Sequence, residues 1–76
     1  MKQVLETIIK SIVENQEAIS INEKEEAEKV IYEVKVDDKD MGRVIGKQGK
    51  VANSIRTLMK ALGSREKKKV VVEFLD

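Results

Sequence analysis

Val44-Ile45-Gly46-Lys47-Gln48-Gly49-Lys50, near the middle of the chain, is the most informative part of this sequence. It places two glycines three positions apart, behind an aliphatic pair, with one lysine between them and another directly after them. The surrounding segment, residues 41–65, contains no acidic residue. Its cations are Arg43, Lys47, Lys50, Arg56, Lys60 and Arg65. A glycine turn in a segment with only positive charges indicates a site for an anion.

The chain has 76 residues, which is enough for one small domain with a thin margin of stability. We therefore expect residues 1–76 to form a single domain. There is no cysteine and no histidine, so disulfides, thiolate metal sites and the commonest general base are excluded. No apolar run is long enough to cross a bilayer, and the charged start does not lead into a signal-peptide core. These features predict a cytoplasmic protein that is not an enzyme, binds no metal or cofactor and does not enter a membrane.

The net charge of +1 conceals an uneven distribution along the chain. Residues 1–40 hold six Lys or Arg against eleven Asp or Glu, a balance of −5. Residues 41–76 hold nine against three, a balance of +6. Such a split is typical of a basic face that binds a polyanion, although an unevenly charged solvated surface is the alternative. The coincidence of the acid-free segment with the two glycines favours the polyanion.

Hydrophobic periodicity predicts the order helix, strand, strand, helix, helix, strand. The first helix carries one apolar stripe, formed by Val4, Leu5, Ile8, Ile9, Ile12 and Val13. Alternating residues predict strands at 18–22, 30–36 and 70–75, and the acidic run 22–28 between the first two predicts a hairpin loop. Three strands and three helices indicate an α+β fold in which helices cover one face of a single sheet. The opposite face would show Ile31, Val71 and Leu75, either as ordinary surface or as part of a dimer contact.

Two helices are expected to flank the glycines. The aspartates of residues 37–40 can cap a short helix that extends to about Ile45. Its buried side chains should be Met41, Val44 and Ile45. The apolar face of the following helix consists of Val51, Ile55, Leu58, Met59 and Leu62. Gly63 stands where a C-terminal cap is expected.

A G-x-x-G pattern alone is weak evidence, because glycine is common enough for it to arise by chance. Here, however, two helices meet at the turn, which leaves backbone amides unpaired and directs the positive end of the second helix towards it. Glycines also allow a sugar-phosphate backbone to come close. A nucleotide-binding P-loop needs four residues between its glycines, and a helix-turn-helix protein would leave the three strands unexplained. The pattern therefore favours a phosphate clamp for a single-stranded nucleic acid.

The run Gly42–Lys50, together with Ser54–Thr57 further on, resembles the core of a KH domain. The G-x-x-G loop is the clamp that this module uses to hold about four nucleotides. A helix and a strand before the motif and a strand at the end match the type II arrangement. The resemblance covers essentially the whole chain and is greatest to the small bacterial RNA-binding proteins with a single KH domain, the KhpA type.

The resemblance implies a groove between the two helices and the second strand. It assigns RNA contacts to Arg43, Val44, Ile45, Gly46, Lys47, Gln48, Gly49, Lys50 and Arg56. Val34 or Val36 would add to the apolar floor under the bases. The two aromatic residues, Tyr32 and Phe74, occupy inward positions of strands, so a sheet that stacks bases is not expected.

The expected ligand is therefore short single-stranded RNA, bound with little sequence selectivity and weakly, since few phosphates are neutralised. Useful affinity would require two modules side by side. The resemblance implies a homodimer or a heterodimer with another KH-domain protein, acting in post-transcriptional regulation or as an RNA chaperone. The alternative is an assembly subunit that mainly pairs with a larger KH-containing protein in the control of cell elongation, division and shape.

Overall fold

The computed structural model describes residues 1–75, which form three α-helices and three β-strands. In chain order these are α1 (Lys2–Ile12), β1 (Ser20–Glu25), β2 (Lys29–Lys35), α2 (Met41–Ile45), α3 (Lys50–Arg65) and β3 (Lys69–Leu75). Short 3-10 turns at Gln16–Ala18, Asp38–Asp40 and Lys47–Gly49 connect them. The α+β class and the predicted order of helices and strands are confirmed.

The three strands form one mixed sheet in the order β1-β2-β3, with β2 in the centre. A short hairpin joins β1 to β2, so these strands are antiparallel, and Tyr32 lies opposite Glu23. The chain returns from β2 to β3 through α2 and α3, so this pair is parallel, and Tyr32 lies opposite Val72. This arrangement is that of a type II KH fold.

The core lies between the sheet and the helices. Alternate residues of β2 and β3 point into it, and α1 and α3 supply the opposing side chains. Its buried members include Leu5, Ile9, Val30, Tyr32, Val34, Val44, Ile55, Met59, Val70 and Val72. The intervening strand residues Ile31 and Val71 are only half-buried, and Leu75 is exposed, as expected for the opposite face of the sheet.

The first strand differs from its prediction at both ends. It begins at Ser20 and continues to Glu25, so the expected strand at 18–22 starts too early and the expected loop at 22–28 is mostly strand. The hairpin turn is closed where the Glu26 amide donates to the Lys29 carbonyl at 2.7 Å. Residues 23–25 carry no alternation signal, because β1 is an edge strand with one half-buried residue, Ile21, among exposed polar ones.

Cross-strand contacts stabilise this polar edge strand instead. The buried Tyr32 donates its hydroxyl to Glu23 Oε1 at 2.7 Å, and Lys24 pairs with Glu33 at 3.4 Å. Burial, and secondarily the Glu23 carboxylate, raise the pKa of the Tyr32 phenol well above its usual value.

The end of α3 also differs from its prediction. The helix continues past Gly63 to Arg65, and Gly63 is buried within it rather than capping it. A Cβ at Gly63 would meet the Val70 side chain and lie 2.7 Å from the Lys68 carbonyl oxygen. The positive φ of 58° that reverses the chain belongs to Lys67. Gly63 is therefore required for close packing of the helix against β3.

Leu58, predicted to lie in the core, is 43 % exposed. Its neighbours Ile55 and Met59 are buried, because they lie on the side of α3 that faces the sheet. Leu58 lies on the adjacent side of the helix, beside α1, where no other element of the described residues covers it completely.

Candidate nucleic-acid interface

The glycine turn has an unusual backbone. The helix α2 ends where the Gly46 amide donates to the Gly42 carbonyl at 2.9 Å. Gly46 then adopts φ 76° and ψ 177°, a combination open essentially to glycine alone. Gln48 and Gly49 also have positive φ, of 56° and 76°. Three of the four turn residues thus lie in the left-handed half of backbone space, and α3 begins directly after them.

The two glycines of the turn have different surroundings. A Cβ at Gly46 would collide with Val51, whose backbone nitrogen would be 2.8 Å away. A Cβ at Gly49 would meet only Asn53 Nδ2, at 3.8 Å. Gly46 therefore lets the first turn of α3 pack against the end of α2. Gly49 leaves a stretch of bare backbone that a ligand can approach.

The charges at the turn are positive and unpaired. Lys47 and Lys50 are exposed, and neither forms an ion pair with another side chain of residues 1–75. The first turn of α3 has no acidic residue and no side-chain cap, so the positive end of its dipole lies at the turn. The amides of Gly49 and Lys50 donate to the carbonyls of Gly46 and Lys47 within the turn itself. An open backbone at Gly49, a helix N-terminus and two lysines without an ion pair are features that favour the binding of a phosphate.

The aliphatic residues of the predicted site occupy two levels. Val44 is completely buried, so its side chain supports the surface from below. Val34 and Val36 are also buried in the core. Ile45, at the end of α2, is half-buried and is the member of this group that reaches the surface.

Arg43 is held in an ion pair. Its Nη2 lies 2.8 Å from Glu14 Oε1, and its Nε lies 3.8 Å from Asp40 Oδ1. Asp40, one of the aspartates expected to cap the short helix, makes no side-chain cap bond to α2 and is 2 % exposed. Its two oxygens accept the backbone N–H groups of Glu14 and Asn15, each at 3.0 Å. Glu14 and Asn15 lie 26 and 25 residues from Asp40 in the chain, so no local sequence pattern predicts these bonds.

Arg56 points across the surface to β3. Its Nε donates to the Val72 carbonyl at 3.2 Å, and its guanidinium carbon lies 5.4 Å from the centre of the Phe74 ring. A cavity of about 200 Å³ opens beside it, lined by Arg56, Lys60, Lys69, Val70, Val71 and Val72. A shallower depression of about 560 Å³ continues towards the end of α3 and adds Lys67 and Lys68.

The groove beside α3 borders β3, which is a free edge of the sheet, whereas β2 is central and has a strand on each side. A groove along the second strand, which the resemblance implies, stays a prediction. Sequence reasoning did not assign Lys60 and Lys69 to the site, although both belong to the basic half of the chain. Lys60 and Lys69 come together only because the turn after α3 brings β3 back alongside that helix.

Residues 1–75 contain no site of two further classes. None of the helices is long and apolar enough to cross a membrane. No three acidic side chains in this part of the chain come together in a way that could hold a metal ion.

Comparison with known proteins gives consistent relatives. Residues 2–74 match the model of the KhpA/KhpB KH domain. The RNA-binding protein KhpA of Caldanaerobacter subterraneus subsp. tengcongensis is 47 % identical over 75 residues, which cover 99 % of this chain and all of the relative. The KhpA proteins of Clostridium perfringens and Aquifex aeolicus are 49 % and 37 % identical, over 99 % and 100 % of this chain and 100 % and 96 % of theirs. No solved structure matches significantly. With a family match over nearly its whole length, the chain belongs to the KhpA/KhpB family of KH domains.

Proposed function

We propose that this protein is an RNA-binding protein that clamps short single-stranded RNA at residues 46–49. The observation that carries the proposal is the convergence of the α3 N-terminus, the open backbone at Gly49 and the unpaired Lys47 and Lys50. Relatives at 37 to 49 % identity that span the whole chain are named RNA-binding proteins, which supports the same ligand. The family match over residues 2–74 supports treating the chain as a single KH domain.

In this proposal the turn binds phosphates and the neighbouring surface receives the bases. A phosphate lies against Gly49 at the positive end of the α3 dipole, with Lys47 and Lys50 on either side. The bases then lie over Ile45 and along the groove beside β3. Arg56 and Lys60 line that groove and provide further positive charge.

Low sequence selectivity follows from what the surface offers. The Tyr32 ring is completely buried, and Phe74 is half-buried with the Arg56 guanidinium over it. Neither ring is free to stack on a base, so contact is mainly with phosphates and aliphatic side chains. Binding of this kind neutralises few phosphates, so it is weak and its affinity falls only modestly as the salt concentration rises.

Weak modules gain affinity when they are joined, so we propose that the protein acts as a homodimer or with a second KH protein. An apolar surface between α1 and α3 supports this. The depression on this surface has a volume of about 400 Å³ and is lined by Ile8, Ile12, Lys50, Val51, Ser54, Ile55 and Leu58. Such pairing in the cytoplasm would suit post-transcriptional regulation or an RNA chaperone.

The same apolar surface favours a second function, that of an assembly subunit for a larger KH-containing partner in the control of cell elongation and division. The Leu58→Lys substitution should abolish self-association measured by light scattering. If pairing is the main role, cells that carry this variant should show the defect in elongation and division expected when the protein is missing. Cells that carry a variant with a defective glycine turn should not show that defect. The opposite pattern would favour RNA binding as the main role.

The Lys47→Asp/Gln48→Asp double variant tests the clamp. Both side chains are exposed, so the fold should persist, while two negative charges at the turn should abolish binding to a short oligouridine. Lys10→Asp/Gln3→Asp, on the exposed side of α1, makes the same change of charge elsewhere and should bind nearly as the wild type does. Undiminished binding by the double variant at the turn would refute the clamp.

A further inference from the structure

Arg43 and the two lysines of the turn differ in what they contact. Arg43 lies three residues before Gly46 and is joined to Glu14, with 2.8 Å between Nη2 and Oε1. Lys47 and Lys50 have no acidic partner among the described residues. One of the three cations around the proposed phosphate site is thus already occupied by a carboxylate.

The backbone of Glu14 is fixed in position. It follows α1, and its N–H donates to Oδ1 of the buried Asp40 at 3.0 Å, while the N–H of Asn15 donates to Oδ2. The Asn15 side chain also donates to Asp37 Oδ2 at 3.0 Å. The backbone N–H of Lys39, and secondarily the Asn15 amide, hold the pKa of Asp37 below its usual value. The chain after α1 is thereby attached to the segment that starts α2, with the Glu14 carboxylate beside Arg43.

We propose that Glu14 is an internal competitor of the RNA phosphate for Arg43. The inference rests on the proposed RNA binding and adds a control of its strength. Side chains of Arg43 and Glu14 are 51 % and 75 % exposed, and exposed ion pairs of this kind are weak. A phosphate that offers two oxygens to the guanidinium can therefore displace the Glu14 carboxylate.

Binding at Arg43 is then an exchange of one anion for another. The guanidinium loses Glu14 when it gains the phosphate, and the released carboxylate attracts a cation from solution. The net gain in affinity and the net release of counterions at this position are both smaller than at Lys47 or Lys50. Glu14 thus keeps the complex weak and readily reversible.

The test compares two substitutions that remove the same charge. Glu14→Gln removes the competitor, and Glu17→Gln, in the following turn, removes an exposed carboxylate that has no ion pair in the described residues. Fluorescence anisotropy with a labelled oligouridine should show binding about two- to five-fold tighter for Glu14→Gln than for Glu17→Gln. The slope of log affinity against log salt concentration should steepen by about 0.7, the value for one additional phosphate on a single strand.

The same pair of substitutions in an Arg43→Gln background supplies the decisive control. Without Arg43, Glu14→Gln should bind no more tightly than Glu17→Gln. Equal affinities of the two single variants, or a gain from Glu14→Gln that survives the loss of Arg43, would overturn the proposal. A wild-type protein that does not bind oligouridine at all would refute the proposed RNA binding, and the competition with it.

Discussion

The two ends of α3 use the same residue type for opposite purposes. At the N-terminal end, Gly46 and Gly49 form a turn with positive φ whose cations are unpaired. At the C-terminal end, Gly63 is buried against Val70, and the following Lys68 pairs with Glu25 of β1. At the N-terminal end, backbone and charge stay accessible to a ligand. At the C-terminal end, Gly63 is used in packing and Lys68 in an ion pair. A glycine or a lysine therefore indicates a ligand site only where no other part of the protein packs against the glycine or pairs with the lysine.

The difference also separates stability from binding. The C-terminal end joins α3 to β3 and, through Lys68, to the β1–β2 hairpin. Replacing Gly63 there should alter the free energy of unfolding more than the affinity for RNA, since the turn at residues 46–49 lies at the other end of α3. Changes at the N-terminal end should affect binding, with an effect on stability that depends on which glycine is replaced.

The Gly46→Ala substitution should have the largest effect on stability. Alanine at φ 76° and ψ 177° is strained by about 1–3 kcal/mol, and its Cβ would collide with Val51 at the start of α3. We expect a total loss of about 3 kcal/mol or more in the free energy of unfolding by urea, together with loss of RNA binding. The control is Gly49→Ala, which has the same φ but free space, and should cost only about 1–2 kcal/mol. A smaller loss for Gly46→Ala than for Gly49→Ala would contradict this reading of the turn.

The Gly63→Ala substitution should come next. Its Cβ meets the Val70 side chain and the Lys68 carbonyl, and overpacking of this kind costs about 1–3 kcal/mol. In a domain of this size the melting temperature, followed by circular dichroism, should fall by about 4–20 °C. Affinity for oligouridine, measured where the variant is still folded, should fall by less than it does for Gly46→Ala, because the turn at residues 46–49 is unchanged and, of the residues that the new Cβ meets, only Val70 lines the groove beside β3. A marked loss of affinity would show that the two ends of α3 are not independent.

The Gly42→Ala substitution should have the smallest effect and the opposite sign. Gly42 lies within α2, and a Cβ there would have no neighbour within 4 Å. Alanine restricts the unfolded chain and favours helix, so the free energy of unfolding should rise by about 0.5–1 kcal/mol. Chemical denaturation would measure this rise in the free energy of unfolding. A value lower than that of the wild type would mean that α2 needs a glycine for a reason other than space.

What the sequence could predict is what depends on near neighbours. Alternation predicts the strand β2. The two glycines, with a helix on either side, predict the turn at residues 46–49. The features that could not be predicted depend on distant partners. Asp40 is buried because it accepts the amides of Glu14 and Asn15, and Gly63 is a packing residue because β3 returns along α3.

The site shows the same division. Lys47 and Lys50 could be proposed as phosphate ligands from the sequence alone, because a cation beside a glycine turn is a local pattern, and that role stays a prediction. The pairing of Arg43 with Glu14 spans 29 residues and has no local signal. The groove beside β3 likewise depends on the order of the strands, which alternation does not specify.

Amide chemical shifts during titration with a short oligouridine test the central claim most directly. If the turn at residues 46–49 clamps single-stranded RNA, the largest changes should fall on the amides of Gly46–Lys50. Smaller changes should follow on β3 next to Arg56. Changes confined to the opposite face of the sheet around Ile31 and Val71, with the turn unaffected, would contradict the account.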